Sequence, residues 1–274
     1  MDLLQILIPT YNRIDFLAKN INLLDTYICE LGLLNKVSIL ISDNASQDGT
    51  IEKVKSLQSE KTSSISVLSN NENVGLEKNA VKVLENATAE YVMYLGDDDF
   101  ISKEYLENVA KIIEKRDVKC IIPSYVNIDI YGNQINGGRD RNTESQLIGK
   151  GYLSASKAFI KGHQLSGIVF LREGTLSAYL EASCRNIYLF MFFVGYNIIR
   201  GDAFHLTSYP VRVSQPGQAK KDWNYGKDGL FNEKFKNSTA LFKKHIYYRF
   251  IAEKSLIRQN NSRRIRKTFE VDNV

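Results

Sequence analysis

The order of apolar runs predicts an α/β fold, a mostly parallel sheet flanked by helices. Short runs at residues 5–8, 37–41, 65–68 and 91–95 alternate with stretches of helical periodicity. The runs are almost continuously apolar, as strands covered on both faces are. Strand–helix–strand order in turn demands right-handed crossovers and parallel pairing.

Residues 5–8 read as a first strand ended by Pro9. Asp15 then caps a helix with Phe16, Leu17, Ile21, Leu24, Ile28 and Leu31 on its apolar face. Residues 37–41 make a second strand. The turn Asp48-Gly49-Thr50 leads into a helix with Ile51, Val54 and Leu57 inward. Residues 65–68 are a third strand, 70–75 a polar loop, and 76–86 a helix with Leu76, Ala80, Val83 and Leu84 on one face. A fourth strand, 91–95, runs into three aspartates. Ser102 caps the next helix (Leu106, Val109, Ile112 and Ile113 inward), and 118–122 is a fifth strand. After Pro123 the regularity fails. Residues 125–130 and 134–135 read as a hairpin around Tyr131-Gly132-Asn133, and 137–149 as a mobile polar loop. Residues 165–171 read as a strand, 173–194 as helical, 196–199 as a strand, and 231–269 as one or two amphipathic helices.

At 274 residues the chain is long enough for a large core, and 24% charged with 43% hydrophobic residues is ordinary for a globular protein. The three cysteines, Cys29, Cys120 and Cys184, lie far apart in apolar stretches and read as reduced core thiols. The first strand follows the start without a basic lead-in, so no signal peptide is expected. The apolar stretch 187–199 is too short to span a bilayer. The net charge of +5 is uneven: residues 218–274 hold 14 Lys and Arg against 6 Asp and Glu. Such a basic tail suits anionic lipid or a phosphorylated substrate. Nucleic acid is not expected, because the tail matches no recognition module.

The acid block Asp97-Asp98-Asp99 is the sharpest chemical signal. Adjacent carboxylates repel, and a divalent ion shared with phosphate, Mg²⁺ or Mn²⁺, suits such hard oxygens. Open parallel sheets bind ligands at the carboxyl ends of their strands. Pro9, Thr10, Tyr11 and Arg13, the pair Asp43-Asn44, the loop 70–75 and the acid block should therefore share one crevice. Asp43 or Asn44 can pair with base N–H groups, Tyr11 offers a face to a base, and Arg13 can offset phosphate charge. Asp43-Asn44 as a simple Asx turn, and Arg13 as a solvated helix start, are the plain alternatives.

Four stretches in this order, ILIPTYNR (6–13), ILISDNASQDGT (39–50), NNENVGLEKN (70–79) and YVMYLGDDDF (91–100), resemble glycosyltransferase family 2, inverting enzymes of GT-A fold. The resemblance covers roughly the first 125 residues. It implies a nucleotide-sugar-binding half at 1–125, an acceptor-binding half at 126–217 and a basic helical tail at 218–274. It also implies that Thr10 and Tyr11 line the nucleotide pocket, with Arg13 near the phosphates. Asp43 matches the acid that contacts uracil, while Asn44 stands where a second acid is common. Asn73, Gly75 and Asn79 match the loop and helix start beside the nucleotide. In the Asp-X-Asp element either Asp97 and Asp99 form the pair, or Gly96 and Asp98 take its two positions. The second register makes Asp98 the metal ligand, with Asp97 on ribose or phosphate, Asp99 close by and His205 completing the site. The family's acceptor-side Glu-Asp pair is replaced by Ser183-Cys184, so the general base falls to Glu181, with Asp202 and His163 as alternates. Arg212 and residues 214–223 are expected to close over the phosphates, with Trp223 and Tyr225 against a sugar.

The function so implied is metal-dependent, inverting transfer from a nucleoside-diphosphate sugar, UDP first, to a glycan or lipid-linked acceptor. Bacterial surface polysaccharide synthesis is the expected setting, in the cytoplasm or peripherally at the inner membrane face. A non-catalytic nucleotide-sugar-binding subunit is the alternative. Sugar nucleotidyl transfer fits less well, because residues 9–13 lack the glycines of a phosphate-gripping loop.

Overall fold

The computed structural model describes residues 2–215 and 229–271, with side chains in 2–215 and 232–259. Strands β1 (Leu4–Thr10), β2 (Val37–Asp43), β3 (Ser64–Ser69) and β4 (Tyr91–Tyr94) pair in parallel in the order β3-β2-β1-β4. Beyond β4 come β5 (Cys120–Ile128), its hairpin partner β6 (Gln134–Arg139), the edge strand β7 (Gln146–Ile148), β8 (Val169–Leu171) and β9 (Ala203–Ser214). They extend the sheet as β4-β8-β5-β9-β7, with β8 antiparallel to both its neighbours and β9 parallel to β5.

Alternation along the strands builds two cores. Ile6, Ile8, Ile39, Ile41 and Met93 face α1 (Ile14–Glu30), α2 (Thr50–Glu60) and α4 (Lys103–Glu114). Leu7, Leu40, Val92 and Tyr94 face α3 (Leu76–Glu85), α5 (Tyr152–Ala158), α6 (Thr175–Glu181) and α7 (Leu189–Arg200). Each fully buried side chain of this kind contributes about 1.5–3 kcal/mol of transfer free energy. Two further helices, α8 (Gly229–Leu241) and α9 (Ile246–Val271), stack outside this second layer. Phe242, Ala252 and Leu256 join its core.

Two prolines lie inside strands where a donor is not needed. Pro9 pairs with Ser42 of β2, but pairing with β4 ends at Leu7. Pro123 sits at the irregularity between Pro123 and Tyr125 against β9, beyond the β8 pairing that ends at Ile121. The fifth strand therefore runs on to Ile128 rather than ending near Pro123. Residues 137–149 hold the end of β6 and all of β7, where the sequence suggested only a loop.

The 173–194 helix breaks into α6 and α7, and α7 continues to Arg200 through the expected strand 196–199. Gly195 and Asn197 have packing roles within α7. A Cβ at Gly195 would lie 2.5 Å from Leu241 Cδ1 of α8. The Asn197 amide donates to Thr175 Oγ1 (3.0 Å) and Phe193 O (2.9 Å).

Candidate active site

Three turns at the carboxyl end of the sheet are clasped together. Asn12, at φ 51, accepts from Gln47 N on its side-chain oxygen (2.8 Å), and its own N–H donates to Ser46 Oγ (2.8 Å). Asp48 serves two helices: Oδ1 accepts from Thr50 N (3.2 Å) at the start of α2, and Oδ2 from Ile14 N (3.0 Å) at the start of α1. The cap of α1 is thus Asp48, not Asp15, which stays in the first turn without capping. Arg13 occupies the N-cap position and is aimed at the acid block.

Each aspartate of the block has a different environment. Asp97 Oδ2 accepts from Thr10 Oγ1 (2.8 Å). A single guanidinium nitrogen of Arg13, Nη1, lies 3.3 Å from Asp97 Oδ1 and 2.6 Å from Asp98 Oδ2. Asp99 Oδ2 accepts from Ser166 Oγ (2.5 Å) and Gln164 Nε2 (3.1 Å), and Oδ1 from Ser214 N (2.8 Å). Asn20 of α1 supports the turn from below, donating to Asp99 O (2.8 Å) and Gly96 O (3.2 Å). A Cβ at Gly96 would meet Asp99 Oδ2 at 3.0 Å and Ser166 Oγ at 3.2 Å, so a first acid there would displace this clasp.

Burial, then the neighbouring Asp98 charge, raises Asp97 to about 6 against the pull of Arg13 and Thr10. The same two causes raise Asp99 to about 7. For Arg13, burial works against the charged form, but the charges of Asp97 and Asp98 outweigh it and the guanidinium is raised. Arg13 Nη1 thus sits as a cation between two carboxylates.

The donor set at Asp97 and Asp98 consists of hard oxygens, which fit Mg²⁺ or Mn²⁺. Among the described residues no group of three or more His, Cys, Asp or Glu side chains forms a metal cage. Asp97 and Asp98 therefore do not by themselves complete a protein-only metal cage. Asp99 carries three protein donors on its two oxygens, against Thr10 and Arg13 on Asp97 and Arg13 alone on the Asp98 carboxylate.

Where β2 ends, an amide network joins Asn44 to the 70–75 loop. Asp43 is 1% exposed and its carboxylate accepts from Ser46 N, three residues on (3.1 Å). Asn44 Oδ1 accepts from Asn70 Nδ2 (3.0 Å) and Val74 N (3.0 Å), and its amide donates to Asn73 Oδ1 (2.7 Å). Asn73 Oδ1 also takes Gly75 N (2.9 Å), and Asn79 Oδ1 takes Ser42 Oγ (2.7 Å) and Asn70 Nδ2 (3.0 Å). Asn44 shapes the 70–75 loop from beneath. Tyr11 is half-buried at the rim.

Other expected residues lie elsewhere. His205 is 2% exposed and donates from Nε2 to Asp140 Oδ2 (3.0 Å), which also binds Lys161 Nζ (2.5 Å) and Arg139 Nε (3.1 Å). Burial alone would raise the Asp140 carboxyl, but hydrogen bonds from His205 and Lys161 and the nearby cationic charge hold it below the usual range. His205 is thus a structural partner of Asp140, and β8 and β5 separate its strand from β4, which carries the acid block. It also lines a 390 Å³ cavity between α5 and β7, at the far edge of the sheet from β1.

Asp202 precedes Ala203, which pairs with Cys120; Cys120 pairs with Phe170, and Phe170 with Val92. That register puts Asp202 at the amino end of the sheet, opposite the acid block, where Oδ1 accepts from Lys150 N (2.8 Å). This placement removes it from the candidates for general base. Glu181 is exposed in the last turn of α6. His163 precedes Gln164, whose amide reaches Asp99, and its Nδ1 lies 3.1 Å from Ile160 O. Arg212 bonds Gly132 O in the β5–β6 turn. Trp223 and Tyr225 lie outside the described residues.

Sequence reasoning missed Gln164, Ser166 and Ser214, the partners of Asp99. Their separations of 65, 67 and 115 residues from Asp99 leave no local pattern to read.

The model of "Glycosyl transferase family 2" matches residues 5–187, more than half of the chain and well past the motifs of the first hundred residues. A curated relative, abequosyltransferase RfbV of Salmonella typhimurium, is 33% identical over 127 residues, covering 43% of this chain and 37% of the relative. The match therefore spans well under half of that protein. Two solved structures share the fold. One is residues 1–349 of S. aureus TarS in complex with UDP-GlcNAc: TM-score 0.66, 15% identity, 93% of this chain and 72% of that one. The other is mannosyltransferase PcManGT from Pyrobaculum calidifontis in complex with GDP-Man and Mn²⁺: TM-score 0.53, 18% identity, 89% and 64%. With the ordered motifs around its acid block, the chain belongs to glycosyl transferase family 2.

Proposed function

We propose that the chain transfers a sugar, with inversion, from a nucleoside-diphosphate sugar to a hydroxyl of a glycan or lipid-linked acceptor in bacterial surface polysaccharide synthesis. The observation that carries this reading is the convergence of Thr10, Arg13, Asp97 and Asp98 where β1 and β4 end. The abequosyltransferase relative and the UDP-GlcNAc complex of TarS support a sugar-nucleotide donor, with UDP as the first choice. In this reading residues 1–125 bind the donor and 126–217 the acceptor, on the cytoplasmic side of the membrane.

Asp43 and Tyr11 receive the base, and Arg13 offsets diphosphate charge. Mg²⁺ or Mn²⁺ held by Asp98 beside Asp97 would supply charge neutralisation on the leaving diphosphate. The acceptor oxygen forms its bond to the anomeric carbon as the bond to the diphosphate oxygen breaks with its electron pair. Attack from the opposite face inverts the centre. The acceptor proton passes to Glu181 or to His163, the two groups left by the removal of Asp202.

Slow hydrolysis of the donor tests the reading without a known acceptor. Incubation with UDP-, GDP-, CDP- and dTDP-sugars and a divalent ion should release nucleoside diphosphate from one donor class. Glu181→Gln and His163→Ala should separate, the loss of turnover with donor binding retained marking the proton acceptor. No release from any donor by the wild type would sink the transferase reading in favour of a binding subunit.

A further inference from the structure

The outer face of α9 is apolar where a helix packed on a domain is ordinarily polar. Its inner face is settled: Ala252 and Leu256 are buried, and Tyr248 stacks on Tyr152 of α5 at 5.8 Å. At about 100° per residue, Ile246, Phe250 and Ile257 fall within an arc of roughly 40° on the opposite side. They are 82%, 63% and 46% exposed, and Tyr247 beside them is 69% exposed. Isolated exposed apolar residues need no explanation, but an aligned row does.

The charge around this row is predominantly positive, and the one acid on the same face, Glu253 between Phe250 and Ile257, is paired with Arg249. Lys243 and Lys244 are exposed just before the helix, and Lys254 is exposed beside the arc. Residues 242–259 contain five Lys and Arg against a single acid, Glu253, which pairs with Arg249 at 2.7 Å. No helix among the described residues is long and apolar enough to cross a membrane. A row of large apolar side chains edged by lysines is the pattern of a helix lying in a lipid interface. A second copy of the chain is the poorer occupant, since apposed α9 faces would bring their lysines together.

We propose that this face of α9 docks on an anionic lipid surface, with Ile246, Phe250 and Ile257 in the acyl boundary and Lys243, Lys244 and Lys254 at the headgroups. The inference rests on the transferase reading above and deepens it, because an acceptor built on a lipid carrier is reached from such a surface.

The full chain is sedimented with vesicles of phosphatidylcholine alone and of phosphatidylcholine with phosphatidylglycerol. Binding is expected to the anionic vesicles, to fall with added salt, and to weaken at least tenfold both in Phe250→Ser/Ile257→Ser and in Lys243→Gln/Lys244→Gln/Lys254→Gln. These side chains are exposed, so the melting temperature should be unchanged. Absence of binding, equal binding to neutral vesicles, or binding that survives the serine pair would overturn the proposal. So would a concentration-dependent dimer that the serine pair abolishes, which would give the row to self-association. Nucleoside-diphosphate binding, measured in the same samples by thermal shift, keeps the two readings separate. Nucleotide binding without vesicle binding sinks the docking surface alone, and the reverse sinks the transferase reading alone.

Discussion

Replacing Asp98 by Ala is expected to lower sugar transfer about 10²–10³-fold, the usual cost of losing one element of transition-state charge stabilisation. The melting temperature of the ligand-free protein should stay at or above that of the wild type. Both halves follow from the same geometry. Asp98 is the carboxylate of the block whose protein contact is a cation, Arg13 Nη1 at 2.6 Å. Its charge raises the carboxyls of both Asp97 and Asp99, so its loss relieves repulsion in the empty site. Arg13 keeps Asp97 as a partner at 3.3 Å. Steady-state transfer or donor release, set beside thermal melts, checks the two together. A variant that loses activity only because it unfolds would contradict the assignment.

Asp99→Ala should behave in the opposite way, costing stability before chemistry. Its carboxylate is the shared acceptor for Ser166, Gln164 and Ser214, which come from the segment before β8 and from the end of β9. Truncation leaves the buried Ser166 hydroxyl and the other two donors without that acceptor. Unpaired buried donors cost about 1–3 kcal/mol each and do not add fully, so a loss of about 3 kcal/mol is expected. At about 2–4 °C per kcal/mol for a domain of this size, the melting temperature should fall by about 6–12 °C. Asp99→Asn is the matched control. It keeps one acceptor and removes a buried negative charge next to Asp98, so its loss should be clearly smaller. Equal losses in the two variants would mean that burial of the carboxylate, not its three donors, governs this site.

The contrast between these aspartates explains how much of the protein was legible in its sequence. The first hundred residues were readable because their signals are local. Strand, turn and helix follow one another within about 30 residues, and Asp48, Ser102 and the acid block stand next to the elements they serve. Even there the capping partner of α1 was misread, because Asp48 reaches it from 34 residues away. The second half was less readable for a physical reason. Its strands β8 and β9 insert between and beside elements distant in sequence. Gly195 and Asn197, at the point where the helix was expected to give way to a strand, act instead as packing contacts within α7. His205 looked like a spare ligand because Asp140, which claims it, lies 65 residues earlier in a segment read as loop. Asn44 looked like a base contact, yet most of its hydrogen-bonding capacity is spent on Asn70, Asn73 and Val74.

The claim on which everything else depends is that the crevice above β1, β2 and β4 is a nucleotide site completed by a divalent ion at Asp98. A thermal-shift panel of UDP, GDP, CDP and dTDP, each with and without Mn²⁺, on wild type and Asp98→Ala tests it most directly. Ligand that binds only the folded state raises the melting temperature, by an amount set by its concentration relative to Kd. Stabilisation by one nucleoside diphosphate, UDP first, that needs the ion and vanishes in the variant is the expected result. No shift with any nucleotide at millimolar concentration, or a shift indifferent to both the ion and Asp98, would contradict it.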